Sequence, residues 1–96
     1  MLAEATRLEA QLAEEEARLA SELENRAGGE TGTGRSLLEE FRRAQVAWQQ
    51  YKDAECSYAY ATALGGELRG LKAATCLRDL VRERVARVRA QRLALR

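Results

Sequence analysis

The sequence predicts an all-α protein, in which two antiparallel helices form a hairpin locked by a disulfide and a third helix precedes them. Three observations support this fold. No stretch shows the alternation of polar and apolar residues that is typical of a strand, and the seven glycines divide the chain into three segments. The two cysteines lie symmetrically about a pair of glycines. Since 96 residues suffice for one small domain, we expect the three helices to pack together, running up, down and up.

The glycines also set the expected boundaries. Four of the seven lie between residues 28 and 34 among polar residues, which predicts a flexible linker over 28–34. Residues 1–27 are expected to form an acidic N-terminal helix, and residues 35–96 the helical hairpin. Gly65 and Gly66 predict the turn of that hairpin, because glycine readily adopts the positive φ that a sharp reversal requires.

Each segment carries apolar residues three or four positions apart, the spacing of one helix face. The leucine stripe of the first segment is interrupted by the glutamates at 14–16, which we expect to lie on a solvated face. The second segment is expected to be the central helix, with Phe41, Trp48 and Tyr51 in the core. Gly70 predicts an irregular first turn in the third segment.

Cys56 and Cys76 provide the strongest geometric argument for a disulfide across the predicted hairpin. Their mean position falls on the predicted turn, so the two side chains face each other if the chain reverses there. Closing a loop of about 20 residues would stabilise the fold by about 3 kcal/mol in the chain-entropy model. The alternative is two unrelated buried thiols. A disulfide indicates an exported protein, and the cysteine spacing without histidine excludes the usual zinc sites.

The same hairpin register predicts further contacts between the second and third segments. Trp48 falls beside Arg84, which predicts a cation–π contact. Asp53 falls beside another carboxylate, so we expect it to reach Arg78 or Arg82 instead.

The composition excludes several classes of protein. Without histidine, the commonest general base and metal ligand is absent, and no residue stands out as catalytic. We therefore expect no enzyme, no metal site and no cofactor. No run approaches the roughly 18 apolar residues of a membrane-spanning helix. The first residues lack the pattern of a signal peptide, so the chain is expected to be either cytosolic or a mature region without its export signal.

Charge is unevenly distributed along the chain. Residues 1–30 carry a net charge of −5 and residues 78–96 one of +5. Either the acidic helix packs beside the basic one, or it steers a cationic protein partner. Nucleic-acid binding through the arginine-rich C-terminal helix is less favoured, because its arginines point to several faces without interleaved aromatic residues. The first helix could also pair with a second copy in a homodimer.

The run from Ala44 to Cys56 reads AQVAWQQYKDAEC. It resembles the signature Ala-Gln-x-x-Trp-x-x-Tyr-(Arg or Lys)-Asp-Ala-x-Cys of the LprI-like lysozyme-inhibitor family. The resemblance covers about residues 37–90. The matching positions, in order, are Gln45, Trp48, Tyr51, Asp53, Cys56, Gly65, Gly66, Cys76 and Arg84.

The resemblance implies a small helical protein of the bacterial envelope, periplasmic, extracellular or anchored as a lipoprotein, which binds and inhibits lysozyme without being an enzyme. From the residues themselves we expect the signature positions to be mainly structural. Gln45 and Asp53 are expected to bond to the neighbouring helix, and contact with a partner is the alternative. The residues that contact a partner are left open. The alternative is a structural or protein-interaction module of the envelope without lysozyme activity.

Overall fold

The computed structural model describes residues 2–26, 36–63, 66 and 68–95, and within them it contains three α-helices and no strand. The helices are α1 (Leu2–Asn25), α2 (Leu37–Thr62) and α3 (Leu68–Ala94). The all-α prediction is thereby confirmed. The predicted linker at 28–34 and Gly65 lie outside the described residues.

The helix ends follow local signals in the sequence. α2 begins after Ser36, whose Oγ accepts a hydrogen bond from the backbone N–H of Glu39 at 3.1 Å, as an N-cap residue does. Gly66 adopts a φ of 97° in the turn between α2 and α3. Gly70 lies inside α3, which is α-helical from Leu68, so the irregular first turn expected there is not observed.

The third helix, not the second, is central to the fold. α3 packs against both other helices, whereas α1 and α2 have little contact with each other. The expectation that α2 is central is therefore wrong. The physical reason is that α3 buries three valines, while most of the aromatic residues on α2 are exposed. The buried apolar residues are Ala5, Leu12, Leu19, Ala20, Leu23, Phe41, Val81, Val85 and Val88.

The first helix packs its leucine stripe onto this core. Leu12, Leu19 and Leu23 are buried together with residues of α3, so they are not left exposed for a second copy. Polar contacts extend the interface, among them an ion pair of 2.7 Å between Glu4 and Arg82. The acidic helix thus lies beside the basic helix, as one of the two charge interpretations predicted.

Two glycine substitutions should change stability in opposite directions. A Cβ at Gly70 would meet no atom within 4 Å, so Gly70→Ala should stabilise α3 by about 0.5–1 kcal/mol through helix propensity. Gly66 is equally unobstructed, but its positive φ makes Gly66→Ala unfavourable by about 1–2 kcal/mol. Urea unfolding of both variants checks the pair, and a destabilised Gly70→Ala would contradict the helical placement of that residue.

Candidate functional site

The two cysteines predicted to pair are brought together near the turn. Cys56 on α2 and Cys76 on α3 have their Cα atoms 5.4 Å apart and their Sγ atoms at disulfide-bonding distance. This spacing is typical of native disulfides. The pair ties α2 to α3 close to the end of the hairpin that the turn already closes.

A buried arginine lies in the middle of the helix pair. The guanidinium carbon of Arg84 lies 5.8 Å from the ring centroid of Trp48 and 6.0 Å from that of Phe41. Both distances fall within the range of cation–π attraction, and they confirm the predicted contact between Trp48 and Arg84. Only 8% of Arg84 is exposed, so its side chain packs beside two aromatic rings and is largely removed from solvent.

The electrostatic surroundings of Arg84 are less favourable than its packing. The nearby carboxylate is that of Glu16 on α1, with Oε2 3.9 Å from Nε, beyond hydrogen-bond distance. Burial lowers the pKa of Arg84 because it disfavours the charged form. The negative charge of Glu16 raises the pKa in opposition, and the like charge of Arg87 lowers it further. Within the described part of the chain, Nε and Nη2 are buried without any hydrogen-bond partner.

The other aromatic and amide residues of the signature occupy different environments. Phe41 is buried and Trp48 partly buried, but Tyr51 is 53% exposed, so its expected place in the core is wrong. Tyr51 follows Trp48 by three residues and lies about 60° around the helix from it. Lys52, and not Tyr51, takes the half-buried position on the face of Trp48. Gln45 accepts a hydrogen bond from Arg42 of its own helix at 3.2 Å, and among the described residues it makes none to a neighbouring helix.

Asp53 does not make the ion pair predicted for it. Its carboxylate lies 3.6 Å from the Nζ atom of its neighbour Lys52, and its side chain is largely exposed. Arg78 pairs with the adjacent Asp79 at 3.0 Å, and Arg82 pairs with α1. The expected partners of Asp53 are therefore engaged elsewhere, because α1 and local neighbours offer nearer carboxylates.

A buried carboxylate on α1 was not predicted from the sequence. Glu15 is 5% exposed, and its Oε1 accepts hydrogen bonds from Nε and Nη2 of Arg89 at 3.4 and 3.3 Å. Its Oε2 accepts a hydrogen bond of 3.4 Å from Nε of Arg92. Burial acts to raise the pKa of Glu15, but the hydrogen bonds and charges of the two arginines outweigh it and hold the pKa below its ordinary value. The expectation of a solvated face at 14–16 is wrong for Glu15 and Glu16.

The sequence did contain a signal for this buried carboxylate. Glu15 follows Leu12 by three residues and precedes Leu19 by four, so it occupies a position of the leucine stripe itself. A charged residue at such a position predicts a charged partner on the opposing helix. The arginine-rich third segment supplies that partner.

The described surface also contains an open groove of about 640 Å³ beside the cysteine pair. Small residues of α3 and polar residues of α2 line most of it. The described residues contain no group of three or more histidine, cysteine, aspartate or glutamate side chains that could hold a metal ion. None of the described helices is both long enough and apolar enough to cross a membrane.

These features define a small all-α protein whose second and third helices are joined by a cysteine pair. The family described as "Lysozyme inhibitor LprI" matches residues 1–88, and the chain belongs to this family. The resemblance inferred from the signature is thereby confirmed. The match begins at residue 1, so it includes α1, which lay outside the resemblance inferred from the sequence. The family consists of non-enzymatic inhibitors.

One curated relative is similar over part of the chain. An uncharacterized protein of Rhizobium meliloti (strain 1021) is 36% identical over 52 residues, which cover 54% of this chain and 37% of that protein. The chain thus spans little more than a third of the length of the curated relative it matches. No solved structure matches the chain.

Proposed function

We propose that this protein binds lysozyme and inhibits it, as a non-enzymatic protein of the bacterial envelope. The observation that carries the proposal is the family match over residues 1–88, which includes all of α1 and α2 and most of α3. Lysozyme inhibition needs no catalytic residue in the inhibitor, only a surface that occupies the enzyme. A helical bundle with few internal degrees of freedom suits that task, because a rigid binder loses little entropy on association.

We infer that the helices run up, down and up, so that residues 1–27 and 35–96 act as one body joined by the linker at 28–34. Paired residue numbers on α1 and α3 rise together, from Glu4 with Arg82 to Glu15 with Arg89, which supports parallel helices. On α2 and α3 the numbers run in opposite senses, which supports an antiparallel hairpin.

The contact surface that we propose for lysozyme is the face of α2 that points away from the core. Tyr51 and Tyr58 are 53% and 66% exposed and lie two helical turns apart on this face. Exposed tyrosines are enriched at the energetic centres of protein interfaces. The exposed carboxylate of Glu55 lies on the same side of the helix and suits the strongly cationic surface of animal-type lysozymes.

The acidic first helix is a weaker candidate for steering lysozyme. Three of its carboxylates, those of Glu4, Glu15 and Glu16, lie in ion pairs with arginines of α3. Charges neutralised within the fold contribute little field at a distance. This pairing supports the interpretation that the acidic and basic helices attract each other.

We propose that the protein is exported to the periplasm or beyond, where it is either free or lipid-anchored through its precursor. The cysteine pair at disulfide distance supports an oxidising compartment.

Size-exclusion chromatography with light scattering of the oxidised protein, alone and with lysozyme, tests the proposed interaction. We expect a 1:1 complex at micromolar concentration. A chain that elutes unchanged in the presence of lysozyme would contradict the proposal and favour the alternative, an envelope interaction module. A mass of twice 10.7 kDa without lysozyme would support the homodimer considered from the sequence.

Replacing an exposed tyrosine should separate the proposed contact face from the rest of α2. Tyr58→Ser is expected to weaken lysozyme inhibition about tenfold or more, since interface tyrosines commonly contribute over 1–2 kcal/mol. Tyr60→Ser is the matched control, because Tyr60 is also exposed on α2 but contacts Arg69 on another face. The inhibition constants of both variants show whether the face that carries Tyr58 contacts lysozyme. Equal losses, or none, would rule out this face.

A further inference from the structure

The closed end of the α2–α3 hairpin lies outside the buried core. We call its described residues, 53–63, 66 and 68–76, the hairpin tip, and none of them is buried. The buried residues of α2 and α3 lie at position 41 and at positions 81–88. Among the described residues, the ion pairs from α1 reach α3 only between Arg82 and Arg92. Neither the core nor the ion pairs of α1 therefore hold the tip in place.

One cross-link joins the two arms of the tip. Cys56 and Cys76 both lie in the tip, with their Sγ atoms at disulfide-bonding distance. A cation–π contact of 5.5 Å between Arg69 and Tyr60 also spans the arms, but the described residues of the tip form no hydrogen bond or ion pair from α2 to α3. Each arm is about ten residues long, and helices of that length are marginal in water without tertiary packing. Opening the cross-link should therefore let the tip unfold locally.

The groove beside the cysteine pair gives a reductant access to one of the two sulfur atoms. Cys56 lines this groove of about 640 Å³, and Cys76 is not part of its lining. Gly70, Ala73 and Ala74 form part of the wall, and their small side chains leave room for an incoming molecule. Thiol–disulfide exchange depends on such access and on which sulfur the attacking thiolate reaches.

We propose that Cys56 and Cys76 form a redox switch, in which a dithiol enters the groove, attacks Cys56 and releases the hairpin tip while the core stays folded. One thiolate of the dithiol bonds to Sγ of Cys56, the bond between the two cysteines breaks, and its electron pair passes to Sγ of Cys76. The second thiolate then displaces Cys56, so the reductant becomes a disulfide. In total, two electrons and two protons pass from the dithiol to the two cysteines.

The switch also acts on the proposed lysozyme contact, because Tyr58 lies in the tip. This consequence rests on the proposed function, whereas the release of the tip does not. The release is therefore measured on the protein alone, without lysozyme.

Hydrogen exchange followed by mass spectrometry tests the release. After reduction with dithiothreitol, we expect the tip amides to exchange within about tenfold of the rate of an unstructured peptide, and at least about tenfold faster than in the oxidised protein. The amides of Val81, Val85 and Val88 should stay at least about a hundredfold slower than the unstructured rate, because the core remains folded.

The double variant Cys56→Ser, Cys76→Ser is the control for this exchange experiment. It should show the pattern of the reduced protein without any reductant, because it lacks the cross-link. Tip amides that keep their protection after reduction would overturn the proposal. Loss of protection in the core together with the tip would overturn it as well, since reduction would then unfold the whole protein.

A trapping experiment tests which cysteine is attacked. A thioredoxin whose second active-site cysteine is replaced by serine stays bound to the sulfur that it attacks, and iodoacetamide blocks the thiol released. Trypsin separates Cys56 from Cys76, because Lys72 lies between them. We expect the adduct on Cys56 to exceed that on Cys76 by at least about tenfold. Equal adducts on the two cysteines would contradict attack through the groove.

Two alanine variants test the groove as the route of entry. Ala74→Leu narrows the groove and should slow reduction by thioredoxin by about fivefold or more. Ala61→Leu, an exposed change in the tip outside the groove lining, should leave the rate unchanged. Equal rates for the two variants would contradict the route. Faster reduction by micromolar thioredoxin than by millimolar dithiothreitol would identify a protein dithiol as the reductant, and slower reduction a small one.

Discussion

Replacing Cys56 and Cys76 together with serine is expected to lower the free energy of unfolding by about 3 kcal/mol. The cysteine pair closes a loop over a sequence separation of 20 and thereby restricts the unfolded chain. In a protein of 96 residues this loss should lower the melting temperature by about 10–20 °C. Thermal and urea unfolding followed by circular dichroism measure both quantities.

The wild-type protein under reducing conditions serves as the control for this prediction. If the effect comes from the cross-link, the reduced wild type and the double serine variant should unfold at the same urea concentration. Ser57→Ala, an exposed change beside Cys56, should leave stability within about 0.5 kcal/mol. A double variant as stable as the oxidised protein would show that Cys56 and Cys76 are not cross-linked.

Glu15→Gln is expected to destabilise the protein by about 2 kcal/mol at neutral pH. The substitution removes the negative charge that two arginines share, and it leaves the mostly buried Arg92 without its counter-charge. The expected value is below that of a fully buried pair because Arg89 is partly exposed to solvent. The neighbouring Glu14→Gln is the matched control, since Glu14 pairs with Arg18 at the surface and should contribute less than about 0.5 kcal/mol.

The pH dependence of stability should identify the same carboxylate. The pKa of Glu15 is lowered in the folded state, so the unfolded state binds its proton more readily. The stabilisation is fully present above the ordinary glutamate pKa of about 4.3 and is lost as pH falls through the lowered folded value. The difference between wild type and Glu15→Gln should therefore shrink as the pH falls below the ordinary glutamate value of about 4.3. A difference that stays constant with pH would show that the ionised form of Glu15 is not what stabilises the fold.

Sequence patterns were sufficient to predict the features of the fold that depend on local signals and on the position of one turn. Leucine spacing and glycine position predict three helices, and the described residues form three. The position of the turn fixes the register of the hairpin, so the approach of Cys56 to Cys76 and of Trp48 to Arg84 followed without further information.

The features that the sequence did not predict depend on how α1 packs. Whether Glu15 is solvated or buried depends on which arginines of α3 lie opposite. Because α1 and α3 are not consecutive helices, no single turn fixes the register between them. The exposure of Tyr51 has a similar origin. Apolar residues spaced three and four apart define the direction of a helix face only to within about 60°. Packing against α3 places Lys52, and not Tyr51, at the half-buried position of α2.

The measurement that tests the central claim most directly is the rate at which lysozyme lyses bacterial cell walls, followed as oxidised protein is added. We predict saturable inhibition that weakens on reduction or in the double serine variant, because the cross-link holds α2 and its exposed tyrosines against α3. The absence of inhibition at a large molar excess of oxidised protein would contradict the proposed function. The fold would stand, and an envelope interaction module would become the favoured interpretation.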